Sequence, residues 1–220
     1  MPPLVAISPH LDDAVFGCGA LLTTQAPSVV VTVFAGRPPR RACLPPWDEA
    51  AGFRPGDDVV GARRAEDRAA LETLGARPVW LNFLDAQYGD SPRADTIAAA
   101  LERVLAAADP ATVCVPLGLF HSDHELALAA ALVLVQRFPS RRWLAYEEPM
   151  YRRIPHALDA GLTSLRDAGL EPTAIAGAAA PESKCRAVAC YASQLRALAT
   201  PGRAGHADAL TPERYWALTA

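Results

Sequence analysis

Two short clusters of polar residues in this sequence combine side chains that bind metal ions. They are PHLDD at residues 9–13 and HSDH at residues 121–124. Imidazole and carboxylate groups are common ligands of catalytic zinc, which keeps three protein ligands and one open position for water. Three of the five histidines of the chain fall in these two clusters.

The residue types and their spacing predict a catalytic metal site. His10 and Asp13, with one histidine of the second cluster, make a two-histidine, one-carboxylate set that leaves a position for water. Asp12 remains over and can act as a general base toward a water whose pKa the cation lowers. The other histidine of HSDH would then stabilise the substrate oxygen, with Asp123 orienting an imidazole.

Helix capping is the competing explanation for the aspartates. Asp12 or Asp13 can cap a helix that starts near Ala14, and Asp123 can cap one that starts near His124, because Asp is a favoured N-cap residue. Capping requires none of the histidines, however. We therefore favour the metal interpretation, because histidines and aspartates coincide at the ends of two strands that we expect to be neighbours.

The alternation of apolar and helical segments predicts the fold that positions these clusters. Strands are predicted at residues 4–7, 29–35, 79–84, 112–117 and 143–146, and helices at residues 14–24, 62–75, 96–108 and 124–137. This alternation indicates a single α/β domain over residues 1–220: a doubly wound, Rossmann-like, mostly parallel sheet with helices on both faces. In the common strand order 3-2-1-4-5, the first and fourth strands are neighbours, so both clusters meet in the ligand crevice.

Two segments interrupt this alternation. Residues 37–61 are rich in Pro and Gly and follow the second strand, so we predict a loop that roofs the crevice with Trp47 and Phe53 as apolar faces. We expect the arginines of this region to bind an anionic or polar group of the ligand. They are Arg37, Arg40 and Arg41. Residues from about 157 to 220 are irregular in pattern.

Composition argues against several classes of protein. With 21 basic and 24 acidic residues mixed along the chain and a formal net charge of −3, we expect no nucleic-acid partner and no membrane surface. The longest uncharged apolar run, residues 126–135, is too short to span a bilayer, and the N-terminus lacks a signal-peptide pattern, so we expect a cytoplasmic protein. The five cysteines have no C-x-x-C pair and are expected to be reduced. Oligomerisation is compatible with this composition.

Other catalytic fingerprints are absent from the sequence. Gly17 and Gly19 fall inside the first predicted helix, and Leu22 stands where the third glycine of a dinucleotide-binding motif would fall. The sequence has neither the phosphate-binding motif G-x-x-x-x-G-K-[ST] nor the nucleophile motif G-x-S-x-G. Metal-dependent hydrolysis is therefore the chemistry that the sequence favours.

The two clusters resemble those of the LmbE-like, or PIG-L-type, family of zinc-dependent N-deacetylases, which remove acetyl groups from N-acetylglucosamine-containing compounds. The shared pattern is a strand, then PH-x-DD, and much later H-x-D-H. The resemblance implies that His10, Asp13 and His124 bind one Zn²⁺, or another divalent ion such as Fe²⁺. It also implies that Asp12 is the general base, that His121 stabilises the tetrahedral intermediate, and that the partner is a small-molecule amino sugar.

Weaker similarity extends to two further positions. Residues 63–75 fit the pattern R-x-x-E-x-x-A-A-x-x-x-L-G, whose arginine lies near the substrate in the family, and Asp85 resembles a ligand of sugar hydroxyls. We therefore expect Arg63 and Asp85 to bind the substrate. The alternative for Arg63 is an ion pair with Asp67, one helical turn away.

The sequence departs from the family pattern at four positions near these motifs. Leu11 and Ser122 stand where the family usually has proline, Ala14 where it has an acidic residue, and Tyr191 where relatives often carry histidine. None of these residues is an expected metal ligand. The departures therefore bear on the substrate more than on the reaction.

The expected function is that of a zinc-dependent amidohydrolase acting on an N-acyl amino sugar or its conjugate. Two alternatives stay open. A non-haem iron oxygenase uses the same two-histidine, one-carboxylate set, and a non-catalytic sugar-binding module would have no need of Asp12. The spare carboxylate of Asp12 favours hydrolysis.

Overall fold

The computed structural model describes residues 3–39, 43–89, 91–177, 179–203 and 205–219. Along the chain, the strands and helices are β1 (Leu4–Ser8), α1 (Asp13–Thr24), β2 (Ser28–Thr32), α2 (Pro46–Ala50), α3 (Val59–Thr73), β3 (Ala76–Trp80), α4 (Ala94–Ala108), β4 (Thr112–Pro116), α5 (Ser122–Arg137), β5 (Arg142–Tyr146), α6 (Ala157–Asp167), β6 (Glu171–Ala176), α7 (Glu182–Ala189), α8 (Ala192–Leu198) and β7 (Arg214–Thr219). Single 3-10 turns cover Ala86–Tyr88 and Ala207–Leu210. No helix among the described residues is long and apolar enough to cross a bilayer.

The strands form one sheet in the order β3-β2-β1-β4-β5-β7-β6. The first five are parallel, and β7 runs antiparallel to both β5 and β6. Helices α4, α5 and α6 cover one face of the sheet, and α1, α3 and α7 cover the other. Every residue of β1 and β2 is buried, which is why these strands are continuous apolar runs. The predicted doubly wound α/β fold and the neighbouring placement of strands 1 and 4 are confirmed.

The third strand lies earlier than the sequence predicts. It runs over Ala76–Trp80, not over 79–84. Helix α3 ends at Thr73 and Gly75 adopts a φ of 68°, so the strand begins directly after this turn. As an edge strand it is half exposed, so it tolerates Arg77 and Pro78. These two residues interrupt the apolar run by which the other strands are recognised in the sequence.

Helix α1, which follows the first polar cluster, is interrupted at Cys18, whose φ and ψ are −141° and 24°. Two buried side chains take up the backbone groups next to the break. Lys184 Nζ donates to the carbonyl oxygen of Phe16 at 2.7 Å, and Glu213 Oε1 accepts from the backbone N–H of Ala20 at 2.8 Å. Lys184 and Glu213 pair at 2.6 Å, so the broken turn buries paired polar groups.

Close packing at Gly17 fixes the same helix against the sheet. A Cβ atom on Gly17 would lie 2.3 Å from Cδ2 of Tyr146, so only glycine leaves room for this ring. The hydroxyl of Tyr146 donates to the carbonyl oxygen of Ile7 at 2.9 Å. The start of α1 is therefore held against the end of β1, where the first polar cluster begins.

Candidate active site

The loop between β1 and α1 presents its aspartates to the crevice because a serine performs the capping. Ser8 Oγ accepts the backbone N–H of Ala14 at 2.9 Å and donates to the carbonyl oxygen of His10 at 2.6 Å. Asp12 occupies the N-cap position, yet its side chain makes no capping hydrogen bond to the described first turn. The capping explanation for Asp12 is therefore wrong.

Three side chains from the two clusters bring one ligand atom each to a common point. Asp13 Oδ2 lies 3.3 Å from His10 Nδ1 and 3.1 Å from His124 Nε2, and the two ring nitrogens are 3.3 Å apart. In a tetrahedral zinc site with metal–ligand bonds of 2.0 to 2.1 Å, neighbouring ligand atoms lie roughly 3.3 Å apart. The triangle formed by His10, Asp13 and His124, which we call the ligand triad, therefore fits a divalent cation.

Buried carboxylates bind the outer nitrogens of both histidines. His10 Nε2 is 2.9 Å from Asp123 Oδ2, and His124 Nδ1 is 3.1 Å from Glu148 Oε1. A ring that donates its outer N–H to a carboxylate keeps the lone pair of its inner nitrogen for a cation. Asp123 thus lies where it can orient His10.

Glu148 is a site residue that the sequence analysis missed. It follows β5, the strand next to β4, and its Oε1 also accepts the backbone N–H groups of Gly118 and Leu119 at 2.9 and 3.1 Å. The signal was available: the pair Glu147 and Glu148 comes directly after a buried strand that ends beside the second cluster.

The electrostatics of the triad favour positive charge. Burial alone would lower the pKa of His124, but the neighbouring carboxylate of Asp13 raises it to about 9. His10 behaves alike: burial opposes the charged form, yet hydrogen bonds to Asp123 and Asp13 raise its pKa well above the ordinary value. A cluster that stabilises charged imidazoles can also stabilise a metal cation.

His121 is held in one tautomer by the helix that follows it. It is the N-cap residue of α5, and its Nδ1 accepts the backbone N–H of Asp123 at 3.1 Å. Because Nδ1 accepts, the proton of the neutral ring is on Nε2, which is left as a donor. Burial and the neighbouring His10 and His124 lower the pKa of His121, which favours this neutral form. A histidine, and not Asp123, therefore caps this helix.

Asp12 precedes Asp13 of the triad and lines the cavity next to it. Burial and the negative charge of Asp13 raise its pKa to about 8, and the positive groups nearby oppose this shift. A carboxyl group with a raised pKa can both accept and return a proton near neutral pH.

Arg63 lies at the cavity and not on the surface of its helix. It is only 5% exposed, and its Nη2 lies 2.8 Å from Asp48 Oδ1. The guanidinium also covers the ring of Phe53, 5.6 Å from its centroid. Asp48 also accepts a hydrogen bond from Tyr88 at 2.8 Å, so this acid links the loop, α3 and the turn after β3.

The alternative ion pair between Arg63 and Asp67 is wrong. Asp67 is buried and accepts hydrogen bonds from Trp80 Nε1 at 2.7 Å and from the hydroxyl of Tyr191 at 2.8 Å. Tyr191, which stands where relatives often have histidine, is thus a buried partner of α3.

Asp85 lines the cavity, but its carboxylate already accepts hydrogen bonds from the turn that follows it. Its Oδ1 accepts from the backbone N–H of Gln87 and its Oδ2 from Gln87 Nε2, both at 2.9 Å. Oδ2 is also 3.9 Å from His10 Nε2. A sugar hydroxyl that donates to Asp85 would therefore use the same oxygen atoms that already accept hydrogen bonds from Gln87.

A cavity of about 520 Å³ lies next to the triad. Its lining includes site residues, apolar residues and residues of the C-terminal region, namely His10, Asp12, Asp13, Arg63, Asp85, His121, Phe34, Trp47, Phe120, Met150, Tyr151, Ile154, Gln194, Leu198 and Arg203. We call this space the active-site cavity.

The roof loop contributes less to this cavity than the sequence predicts. Trp47, on the short helix α2, lines it as expected, whereas Phe53 packs against Arg63. Arg37 lies 3.3 Å from Asp58 on the exposed surface and lines a neighbouring cavity, which shares Val60 and Tyr88 with the active-site cavity. The other two arginines, Arg40 and Arg41, lie outside the described residues.

A different arginine reaches the active-site cavity. The guanidinium of Arg203 lies 4.3 Å from the ring centroid of Trp47, whose Nε1 donates to Gln194 Oε1 at 2.9 Å. Both Arg203 and Gln194 belong to the C-terminal region, where the sequence pattern predicts no element. The sequence pattern assigns neither residue a role, because only the folded chain brings this region to the roof loop.

Comparisons with known proteins show the family of this chain. The sequence matches the family model described as PIG-L, GlcNAc-PI de-N-acetylase, over residues 5–135, a stretch that contains both polar clusters. No curated protein sequence matches the chain significantly.

Three solved structures of high similarity are all deacetylases. A triple mutant of a deacetylase involved in the teicoplanin biosynthetic pathway shares 27% identity and a TM-score of 0.79, covering 99% of this chain and 98% of its own. The pseudoaglycone deacetylase of an antimicrobial reagent shares 26% identity and a TM-score of 0.79, with coverages of 99% and 97%. A zinc-inhibited form of the teicoplanin deacetylase shares 25% identity and a TM-score of 0.79, with coverages of 99% and 98%. Because the family model matches more than half of the 220 residues, the chain belongs to the PIG-L family of GlcNAc-PI de-N-acetylases.

Proposed function

We propose that this chain is a metal-dependent hydrolase that removes the N-acyl group, with acetyl as the reference case, from an N-acetylglucosamine-type amino sugar within a larger conjugate. One observation carries the proposal: the ligand triad fits a divalent cation and lies beside the carboxylate of Asp12 in a cavity of about 520 Å³. The deacetylase activity of the similar solved structures supports the reaction class.

Zinc is the ion we propose for the triad. Two imidazoles and one carboxylate are a common donor set for catalytic zinc. The zinc-inhibited form of a similar deacetylase supports a metal-dependent relative, although inhibition by zinc leaves Fe²⁺ as a candidate for the working ion.

The proposed reaction is the hydrolysis of an amide. When bound, the cation supplies Lewis acidity, which acidifies a water molecule and polarises the amide carbonyl. Asp12 takes the proton of the attacking water and returns it to the leaving nitrogen. His121 donates its Nε2–H to the carbonyl oxygen as negative charge develops there. Asp123 and Glu148 hold the two histidine rings, and Arg63 and Asp85 bind the sugar.

This division of roles orients the substrate. Asp12 must reach the leaving nitrogen, so the sugar lies on the side of Asp12 and Arg63. The carbonyl oxygen points toward His121.

The proposal is tested by an acetate-release assay on the metal-loaded protein. The substrates are free N-acetylglucosamine, N-acetylglucosaminides with different aglycones, and acetyl-lysine peptides. We expect release from the amino sugars, with Asp12→Asn lowering kcat by about 10² to 10⁴ while the metal content stays unchanged. Peptides that react as fast as every glycoside would overturn the amino-sugar assignment but not the hydrolase assignment.

Turnover, the effect of Asp12→Asn on affinity, and oxygen consumption separate the hydrolase from the two alternatives. A sugar-binding module would bind glycosides without turnover, and its affinity would be indifferent to Asp12→Asn. An iron oxygenase would consume oxygen in the presence of substrate after anaerobic purification. A hydrolase releases acetate without consuming oxygen.

A further inference from the structure

A cavity of about 370 Å³ lies where the turns after β5 meet the segment that precedes β7. Its lining residues are Arg152, Arg153, Asp208, Thr211, Pro212 and Arg214, and we call it the arginine cavity. None of these residues lines the active-site cavity. A ligand in the arginine cavity therefore leaves the place of the substrate free.

The one carboxylate among the lining residues is already used by one of the arginines. Arg153 donates from Nε to Asp208 Oδ2 at 2.6 Å and from Nη2 to Asp208 Oδ1 at 2.5 Å. This two-bond pair is the strongest way in which a guanidinium binds a carboxylate. Asp208 therefore balances the charge of Arg153 and leaves the charges of Arg152 and Arg214 in the same cavity.

These two arginines have no hydrogen-bonded carboxylate among the described residues. The guanidinium of Arg152 donates to two neutral acceptors, the carbonyl oxygens of Asp208 and Pro212, at 3.2 and 3.4 Å. Arg214 Nη1 lies 3.6 Å from Glu147 Oε2, which is too far for a hydrogen bond. Burial and the positive charge of Arg214 lower the pKa of Arg152. The cavity thus concentrates positive charge that the fold balances only in part.

Several donors of the arginines remain for a ligand. Arg153 uses Nε and Nη2 for Asp208, so its Nη1 makes no hydrogen bond to a described residue, and neither do Nε and Nη2 of Arg214. The side chains of Arg153 and Arg214 are 76% and 59% exposed, so solutes reach them. The chain as a whole carries a formal net charge of −3, so this cavity is not one part of a generally basic surface.

We propose that the arginine cavity binds the phosphate group of a soluble ligand, either inorganic phosphate or a phosphate monoester. A phosphate carries up to two negative charges on several oxygens, and it can accept hydrogen bonds from two guanidinium groups at once. A carboxylate brings one charge and two oxygens. Phe120 and Leu210 are the only large apolar side chains exposed in the described ranges, too few to anchor this face to a membrane, so the ligand is a soluble one.

This site lies outside the proposed hydrolase function and does not depend on it. The test must separate phosphate in the arginine cavity from phosphate on a metal ion in the active site. Phenylglyoxal, which modifies accessible guanidinium groups, gives such a reading, because peptide mass spectrometry measures the rate at each arginine. The metal-loaded protein is treated at constant ionic strength with inorganic phosphate, with glucose 6-phosphate, or with glucose as the uncharged comparison.

We expect saturating phosphate to slow the modification of Arg153 and Arg214 by at least about fivefold, because an occupied site excludes the reagent. Arg186, on α7, has a side chain that is 58% exposed and does not line the arginine cavity. Its rate should stay within about twofold, since ionic screening acts on all exposed arginines alike. Glucose should protect none of the three.

Arg214→Gln removes one of the proposed phosphate contacts from an exposed position. It should raise the phosphate concentration that half-protects Arg153 by about tenfold, the usual worth of a hydrogen bond to a charged group. The matched control is Arg186→Gln, which removes an equally exposed arginine whose partner is Glu182 and should leave this concentration unchanged. If Arg214→Gln does not fold, Arg214→Lys keeps the charge, loses the planar fork, and should still weaken the protection.

Protection by inorganic phosphate assigns the site to the free ion, and protection by glucose 6-phosphate alone assigns it to an ester. Three results overturn the proposal. Arg153 and Arg214 react equally fast with and without both phosphates, Arg186 is protected to the same extent as they are, or the Gln variants of Arg214 and Arg186 need the same phosphate concentration. The hydrolase function is unaffected by any of these results.

Discussion

Each histidine of the ligand triad is fixed from both sides. His10 and His124 direct one ring nitrogen toward Asp13 and the other toward a buried carboxylate, Asp123 or Glu148. Removing a ligand therefore removes one of the three donors that meet at the proposed ion. Orienting carboxylates act less directly, and their loss typically weakens metal affinity by about 10- to 100-fold.

We expect one divalent ion per chain in the wild type and loss of bound metal in His10→Ala, Asp13→Ala and His124→Ala, because two donors are too few for a catalytic site. Elemental analysis after dialysis measures this. Asp85→Ala, which also changes a carboxylate of the cavity wall, is the control and should keep the ion. Full metal retention in Asp13→Ala would instead make Asp12 the ligand.

His121 has two functions that one pair of substitutions can separate, because it caps α5 through Nδ1 and offers Nε2–H to the cavity. His121→Asn keeps a favoured cap residue but loses the donor at the position of Nε2, whereas His121→Ala loses both. Both variants should keep the metal and lower kcat by about 10² to 10³ with little change in KM. Only His121→Ala should also lose about 1 kcal/mol of stability. Wild-type kcat in His121→Asn would remove this histidine from the reaction.

At the residue scale, the sequence predicts which side chains meet but not how each is held. The two clusters are recognisable because side chains of the types that bind metal ions follow two strands that prove to be neighbours. The separate roles of His121 and His124 came from the family resemblance alone. The position of Glu148 after β5 marks it as a candidate, but its pairing with His124 and the capping by Ser8 are hydrogen bonds that only the folded chain shows.

At the scale of the elements, the break in α1 shows how a distant segment supports the site. Lys184 comes from α7 and Glu213 from the start of β7, yet together they take up the backbone groups freed at Cys18 in the helix that begins at Asp13. Both side chains are fully buried. A buried pair of this kind is strongly destabilised when one partner is removed, because the other charge stays buried alone.

We therefore expect Glu213→Gln to lower the free energy of unfolding by about 3 to 5 kcal/mol. The control is Glu182→Gln, which breaks the exposed pair between Glu182 and Arg186 on the same helix α7 and should cost less than about 1 kcal/mol. Urea unfolding followed by circular dichroism measures both. Equal losses in the two variants would show that the buried pair does not support the break in α1.

The elements that the sequence predicts correctly are those buried on both faces. Four apolar runs mark β1, β2, β4 and β5, and the periodic segments between them mark α1, α3, α4 and α5. The misplaced β3 and the unpredicted β6 and β7 lie toward the edges of the sheet, where one side of a strand is exposed. Such strands lack a continuous apolar run, so their pairing depends on neighbours distant in sequence.

At the scale of the whole molecule, the residues proposed for the chemistry and part of the cavity wall come from different parts of the chain. The family match ends at residue 135 and contains the ligand triad, Asp12 and His121. The far walls of the active-site cavity come from later residues, among them Tyr151, Gln194 and Arg203. We therefore expect changes in the later part of the chain to alter which substrate the cavity accepts without changing the ligand triad.

This division predicts that a glycoside is hydrolysed with a higher kcat/KM than the free sugar, because the aglycone adds contacts. Arg203 covers Trp47 at the cavity wall and makes no ion pair with another described residue, so its guanidinium is available to an anionic or polar aglycone. Free N-acetylglucosamine cannot use this contact and should be a poor substrate. A glycoside that reaches Arg203 gains binding and better positioning of the amide, so both KM and kcat should improve.

Arg203→Ala should lower kcat/KM for a glycoside with a carboxylate-bearing aglycone by about tenfold, the usual worth of one hydrogen bond to a charged group. Its kcat/KM for free N-acetylglucosamine should stay within about twofold, since the free sugar ends before the Trp47 wall. Arg37→Ala is the matched control, because Arg37 faces Asp58 on the surface and does not line this cavity. If both variants behave alike, or if the free sugar reacts as fast as every glycoside, the Trp47 and Arg203 wall has no part in recognising the aglycone.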